Sequence, residues 1–306
     1  MVANGKAKIR DRFSSRLFLV AFLTLGQLIA VNCVYAQSEI TTDIFPFDLA
    51  TPDLNEKLPG QLDEISGLAA IDDSTIVAVQ DERGYLYFLD ARSGKLRDRV
   101  RFASSGDYEG IALAGDVLYV LRSDGDLYRV TEWQSDDPQT NKIETLLSGR
   151  FDTEGLEYDA ANRRLLIACK EYPGRRLKGF RSVYAFSLET NELIRQPVFA
   201  VNYDAKMRSE YPARLSEVVE DKDNRRDFKP SAIAIENKTG HVYILSSVWK
   251  ALVILSADGN LVSVVELDPD RFRQPEGLAF DASGNLYISS EAAGKKARLF
   301  RYNRIK

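Results

Sequence analysis

The chain of 306 residues holds a single histidine, His241, and only two cysteines, Cys33 and Cys169. One imidazole excludes mechanisms that need two, and with them metal sites built on several histidines. Two cysteines permit at most one disulfide, so the fold is not a disulfide-built scaffold. An excess of basic charge is missing as well. The 41 Lys and Arg stand against 45 Asp and Glu, a net of −4, without the basic footprint that nucleic-acid binding leaves. Past residue 36 no segment sustains an apolar period of 3.6, so helix is a minor component. What remains is an ordinary globular composition, 44% hydrophobic and 28% charged, long enough to bury a large core.

The net charge is the sum of two unlike parts. Residues 1–16 carry Lys6, Lys8, Arg10, Arg12 and Arg16 against Asp11, and the apolar run Leu17 to Ala36 follows directly. A basic start, an apolar stretch and the small-residue end Val34-Tyr35-Ala36 predict a secretory signal cleaved before Gln37. An uncleaved membrane anchor over residues 17–36 is the alternative, since about 20 mostly apolar residues span a bilayer. Either way the remainder is expected outside the cytoplasm, periplasmic or extracytoplasmic, and touches a membrane only through this segment. The remaining 270 residues carry 36 basic and 44 acidic side chains. Cys169 is then alone, and its apolar setting in LLIACK marks a buried structural thiol.

Five repeats organise residues 37–306 into one domain. They begin near Glu64 (EISGLAAIDDS), Asp107 (DYEGIALAGD), Asp152 (DTEGLEYDAAN), Lys229 (KPSAIAIENKTG) and Gln274 (QPEGLAFDASGN). Their small anchor residues Gly67, Gly110, Gly155, Ala232 and Gly277 are spaced by 43, 45, 77 and 45. A period near 45 belongs to four-stranded propeller blades. The long interval carries a charged insertion at about 202–227, read as a solvated loop with a lid or partner-binding arm as the alternative. Within each repeat an apolar alternation, a turn rich in Asp, Asn, Ser and Gly, and strands such as VLYVL and HVYIL follow in order. The fifth repeat ends after its third strand, whereas residues 43–58 precede the first repeat where an outer strand belongs. The fold class predicted is therefore all-β, a five-bladed β-propeller whose last blade is completed by the N-terminal strand, which removes open sheet edges.

The residue before each anchor is Ser66, Glu109, Glu154, Ser231 or Glu276, and two residues earlier stand Glu64, Asp107, Asp152, Lys229 and Gln274. Innermost strands line the propeller axis, so six carboxylates (Glu64, Asp107, Glu109, Asp152, Glu154 and Glu276) are expected to converge there. Burying them unpaired is costly, which calls for a cation or for water in a wide mouth. An all-oxygen donor set favours Ca²⁺, with Mg²⁺ open, over Zn²⁺ or Cu²⁺. The competing reading is structural, with each Glu accepting hydrogen bonds from the next blade's backbone. Glu82, Glu171 and Glu291 are candidates for a neighbouring layer, and Asp81 reads as a turn residue in DERG. Trp133 and Trp249 read as packing or rim residues, and His241 as a peripheral structural one.

EISGL, QDERGYLYFLD, DYEGIA, DTEGLEYD, KPSAIAI with TGHVYILSS, and QPEGLAFD with GNLYISSE occur in fixed order. In them the chain resembles the SdiA-regulated (YjiK-like) family of exported bacterial proteins, from about residue 55 onward. The resemblance implies a five-bladed propeller distantly related to NHL-repeat proteins, with a calcium site, and supplies no reaction. Two functions remain open. One is a calcium-stabilised propeller that binds a protein or small-molecule partner. The other is a metal-dependent hydrolase resembling lactonase-type propellers, in which a carboxylate such as Asp107 or Asp152 would act as base.

Overall fold

A computed structural model of the chain describes residues 45–171, 177, 179–202 and 228–305. The export segment, Cys33 and nearly all of the charged insertion lie outside the described residues. Twenty strands among the described residues account for the architecture. The first, β1 (Leu54–Lys57), stands apart in sequence from the blade it joins. Blade 1 comprises β2 (Ile65–Asp72), β3 (Thr75–Gln80), β4 (Arg83–Asp90) and β5 (Leu96–Arg101). Blade 2 follows with β6 (Tyr108–Ala114), β7 (Val117–Arg122), β8 (Leu127–Thr131) and β9 (Gln139–Ile143). Blade 3 holds β10 (Thr153–Asp159), β11 (Arg164–Cys169), β12 (Phe180–Ser187) and β13 (Glu192–Asn202). Blade 4 holds β14 (Pro230–Ile235), β15 (Val242–Ser246), β16 (Ala251–Leu255) and β17 (Leu261–Glu266). Blade 5 takes β18 (Pro275–Phe280), β19 (Leu286–Ser290) and β20 (Arg298–Tyr302), with β1 as its outer strand. Leu54 pairs with Arg301 and Lys57 with Arg298, antiparallel, so the ring closes as the sequence predicts. Among the described residues helix is limited to short 3₁₀ turns such as Gly60–Leu62 and Ala160–Asn162, and none is long and apolar enough to cross a membrane.

The core lies between blades, because each sheet is apolar on both faces. Along β3 the side chains alternate with period two: Ile76 and Ala78 join a cluster with Tyr287 and Leu299 of blade 5, while Val77 and Val79 join Ile111 and Val120 of blade 2. Trp133 closes that second cluster, stacking on Phe88 and donating its indole N–H to the Asp116 carbonyl at 2.9 Å. Trp249 packs on Phe228 between blades 3 and 4. Each fully buried Leu, Ile or Val in these layers contributes about 1.5–3 kcal/mol. Cys169 is buried and forms no disulfide, and burial pushes its thiol well above the usual range.

The innermost strands β2, β6, β10, β14 and β18 adjoin one another in a closed circuit. Their approach is closer than most side chains permit. A Cβ on Gly67 would lie 2.8 Å from Ile111 N, and one on Gly155 would lie 2.8 Å from Ile233 N. Such distances leave no room for a methyl group at these glycines, and the one anchor that carries a methyl, Ala232, is still small.

A candidate cation site at the blade 1–blade 5 seam

Every innermost strand is bulged at the position before its anchor. In β6 the ladder pairs Tyr108 with Arg122 and then Gly110 with Leu121, leaving Glu109 unpaired. Glu154, Ser231 and Glu276 are skipped in the same way in β10, β14 and β18. In β2 the irregularity spans Ser66 and Gly67. A bulge re-aims its extra residue, and Glu109 and Glu154 line an axial cavity of about 10 Å³ walled by residues of all five innermost strands. That space holds roughly one water molecule.

The two serine steps act as inter-blade fasteners. Ser66 Oγ donates to the Tyr108 carbonyl at 2.6 Å, and Ser231 Oγ to the Pro275 carbonyl at 2.9 Å. The glutamate steps are electrostatic instead. Glu154 is 5% exposed, and burial raises its carboxyl although Lys170 Nζ stands 2.5 Å away. Lys170 also lies 3.8 Å from Asp152. Burial raises Glu276 too, against the opposing pull of Lys170, Ser247, Ser231 and Lys250. Glu109 is raised by burial, then by the charge of Glu154 and a hydrogen bond shared with Asp107. Asp107 in turn accepts from Ser123 Oγ. At this level nearby lysines and hydroxyl donors offset the acids.

A second acidic group has no such partners. Glu64, just before β2, Asp81, just after β3, and Glu291, just after β19, each bring a carboxylate oxygen within 4.8 Å of the others. Blade 1 supplies two of them and blade 5 the third. Among the described residues none has a basic side chain within 4 Å, and Asp81 Oδ1 is buried without a hydrogen-bond partner. Burial, followed by the charges of Glu64 and Glu82, pushes Asp81 up to about 6. Burial, followed by Glu276, Glu64 and Asp81, pushes Glu291 up to about 9. Three converging carboxylates, with Asp81 Oδ1 buried and unpartnered, suit a hard divalent cation.

Of the six carboxylates singled out in the sequence, only Glu64 belongs to this trio. Asp81 occupies the turn expected for it and also joins the site. Of the neighbouring-layer candidates, Glu291 joins as well, whereas Glu82 is exposed and Glu171 pairs with Lys229 and, at 3.9 Å, with Arg181.

A sequence model of the family described as SdiA-regulated matches residues 49–294. Among solved structures, the glutaminyl cyclase of Myxococcus xanthus is similar with a TM-score of 0.51 at 16% identity, covering 82% of this chain and 96% of its own. The PQQ-bound aldose sugar dehydrogenase of Streptomyces coelicolor is similar with a TM-score of 0.51 at 12% identity, covering 84% of this chain and 97% of its own. At these identities the likeness is one of fold.

Proposed function

Because the chain belongs to the SdiA-regulated family, we propose that it is a calcium-binding propeller of the extracytoplasmic space, acting as a binding or scaffold protein on a ring that the cation holds shut. The observation that carries this is the meeting of Glu64, Asp81 and Glu291 without a basic partner among the described residues. Calcium bound there would supply the counter-charge that Lys170 supplies to Glu154. It would also tie blade 1 to blade 5, the blade that contains the chain's own closure. Calcium fits better than magnesium because carboxylates from two blades form a flexible oxygen set, whereas magnesium demands near-ideal octahedral geometry and sheds water reluctantly.

Turnover receives less support. A hydrolase of the lactonase kind needs a free carboxylate base beside its metal. Asp152 lies beside Lys170, and Asp107 accepts from Ser123, so both sequence candidates are already engaged.

The test is calcium titration into protein stripped of metal on a chelating resin, followed by heat and by melting temperature. One ion per chain is expected, with a rise of several degrees that grows with free calcium. Asp81→Asn combined with Glu291→Gln should abolish both signals, while Glu154→Gln combined with Glu276→Gln leaves calcium affinity within about twofold of wild type. The reverse pattern would move the ion to the axial ring, and no binding at all would end the calcium reading.

A further inference from the structure

Outward from the seam, blade 5 carries a cavity of about 510 Å³, within the range that takes small molecules. β1 lends it Lys57, β20 lends Arg298, the β19–β20 connection lends Lys295 and Lys296, and the β17–β18 connection lends Arg271 and Arg273. Only Asp270 and Glu291 oppose these six cations. The chain as a whole is acidic, at −4, so the cluster runs against the sign of the molecule.

Internal pairing does not account for it. Among the described residues Lys296 alone has a carboxylate within 4 Å, Asp63 at 3.9 Å. Arg271 donates to the carbonyls of Leu49 and Ala50, and Arg298 to Asn55 Oδ1. Those neutral acceptors fix the guanidinium groups and leave their charge intact. Lys57, Arg273 and Lys295 are exposed and make no side-chain hydrogen bond or ion pair to another described residue. Like charges gathered around one hollow repel, and the cost is recovered when an anion enters. Lys57 and Arg298 are ladder partners on β1 and β20, whereas the other four cations come from two connections. Charge supplied from several elements suits a ligand charged at two places better than a single small anion. Fixed arginines read the geometry of an oxyanion, while lysines serve as point charges on long stems.

We propose that this cavity binds a soluble small molecule carrying two anionic groups, phosphate or carboxylate, with Arg271 and Arg298 as fixed donors and Lys57, Arg273 and Lys295 as the cations that complete its neutralisation. The cavity shares Glu291 with the proposed calcium site but does not need the ion, and its test uses metal-stripped protein so that the two readings fail separately. Succinate and glucose 1,6-bisphosphate are titrated calorimetrically, with acetate as the monoanion control. One site per chain is expected, at least about tenfold tighter for the bisphosphate than for acetate, weakening several-fold between about 20 and about 200 mM NaCl. The triple variant K57Q/R273Q/K295Q should lose at least about tenfold in affinity while melting as wild type does, since its targets are exposed and unpartnered. Should that variant unfold, Lys295→Gln alone must still weaken binding measurably. Absence of saturable heat with both succinate and the bisphosphate would overturn the proposal. So would undiminished binding by the folded variant, or binding to phosphatidylglycerol vesicles but to neither soluble probe.

Discussion

At Gly110 an added methyl group would stand 2.7 Å from Leu156 Cβ and 2.8 Å from the Leu156 amide nitrogen. Backbone cannot yield as the end of a flexible side chain can, so Gly110→Ala must push β6 away from β10. Overpacking of this kind costs about 1–3 kcal/mol, and a loss of that size is expected in urea unfolding. Gly149→Ala is the control, because nothing lies within 4 Å of its added methyl, and it should stay within about 0.5 kcal/mol of wild type. An equal loss in both variants would sink the close-approach account. The anchor positions were readable in the sequence as small residues at a fixed period. Their reason, contact with the next blade's backbone, exists only after the ring has formed.

Among the elements, the β10–β11 pair shows why the acids were easier to foresee than their partners. Glu154 recurs at a repeat position and announces itself. Lys170 follows the end of β11, and only the continued ladder, with its amide donating to the Asp152 carbonyl at 2.8 Å, sets it beside the bulge. Removing one member of a buried pair strands the other. Lys170→Met is therefore expected to lower stability by about 3 kcal/mol, and Glu154→Gln added to it should recover most of that loss. Chemical denaturation of the two variants decides the matter: a double variant no better than the single would assign the loss to packing of the lysine stem. The acid trio was only partly readable for a related reason. Glu64 and Glu291 come from opposite ends of the repeat array, and Asp81 looks from sequence like any residue of a hairpin turn.

For the whole molecule, the five repeats and the missing fourth strand of the last one carried the architecture, since periodicity survives without any knowledge of contacts. The basic hollow had no such signature, because its cations come from β1, β20 and two connections, and only closure brings β1 to the rest. Removing residues 1–57 deletes β1 and leaves β20 as an unpaired edge, a template for association. A lower melting temperature and a shift to larger species on gel filtration are expected; a monomer of unchanged melting temperature would mean that β1 does not secure the ring. The seam has one more consequence, and it concerns time. Asp53 accepts from the Asn303 amide 250 residues later. A chain delivered N-terminus first must keep β1 waiting, unpaired, while four other blades are made. For a chain so delivered the earliest strand and the latest can meet only at the end, and until they do the ring is an open horseshoe.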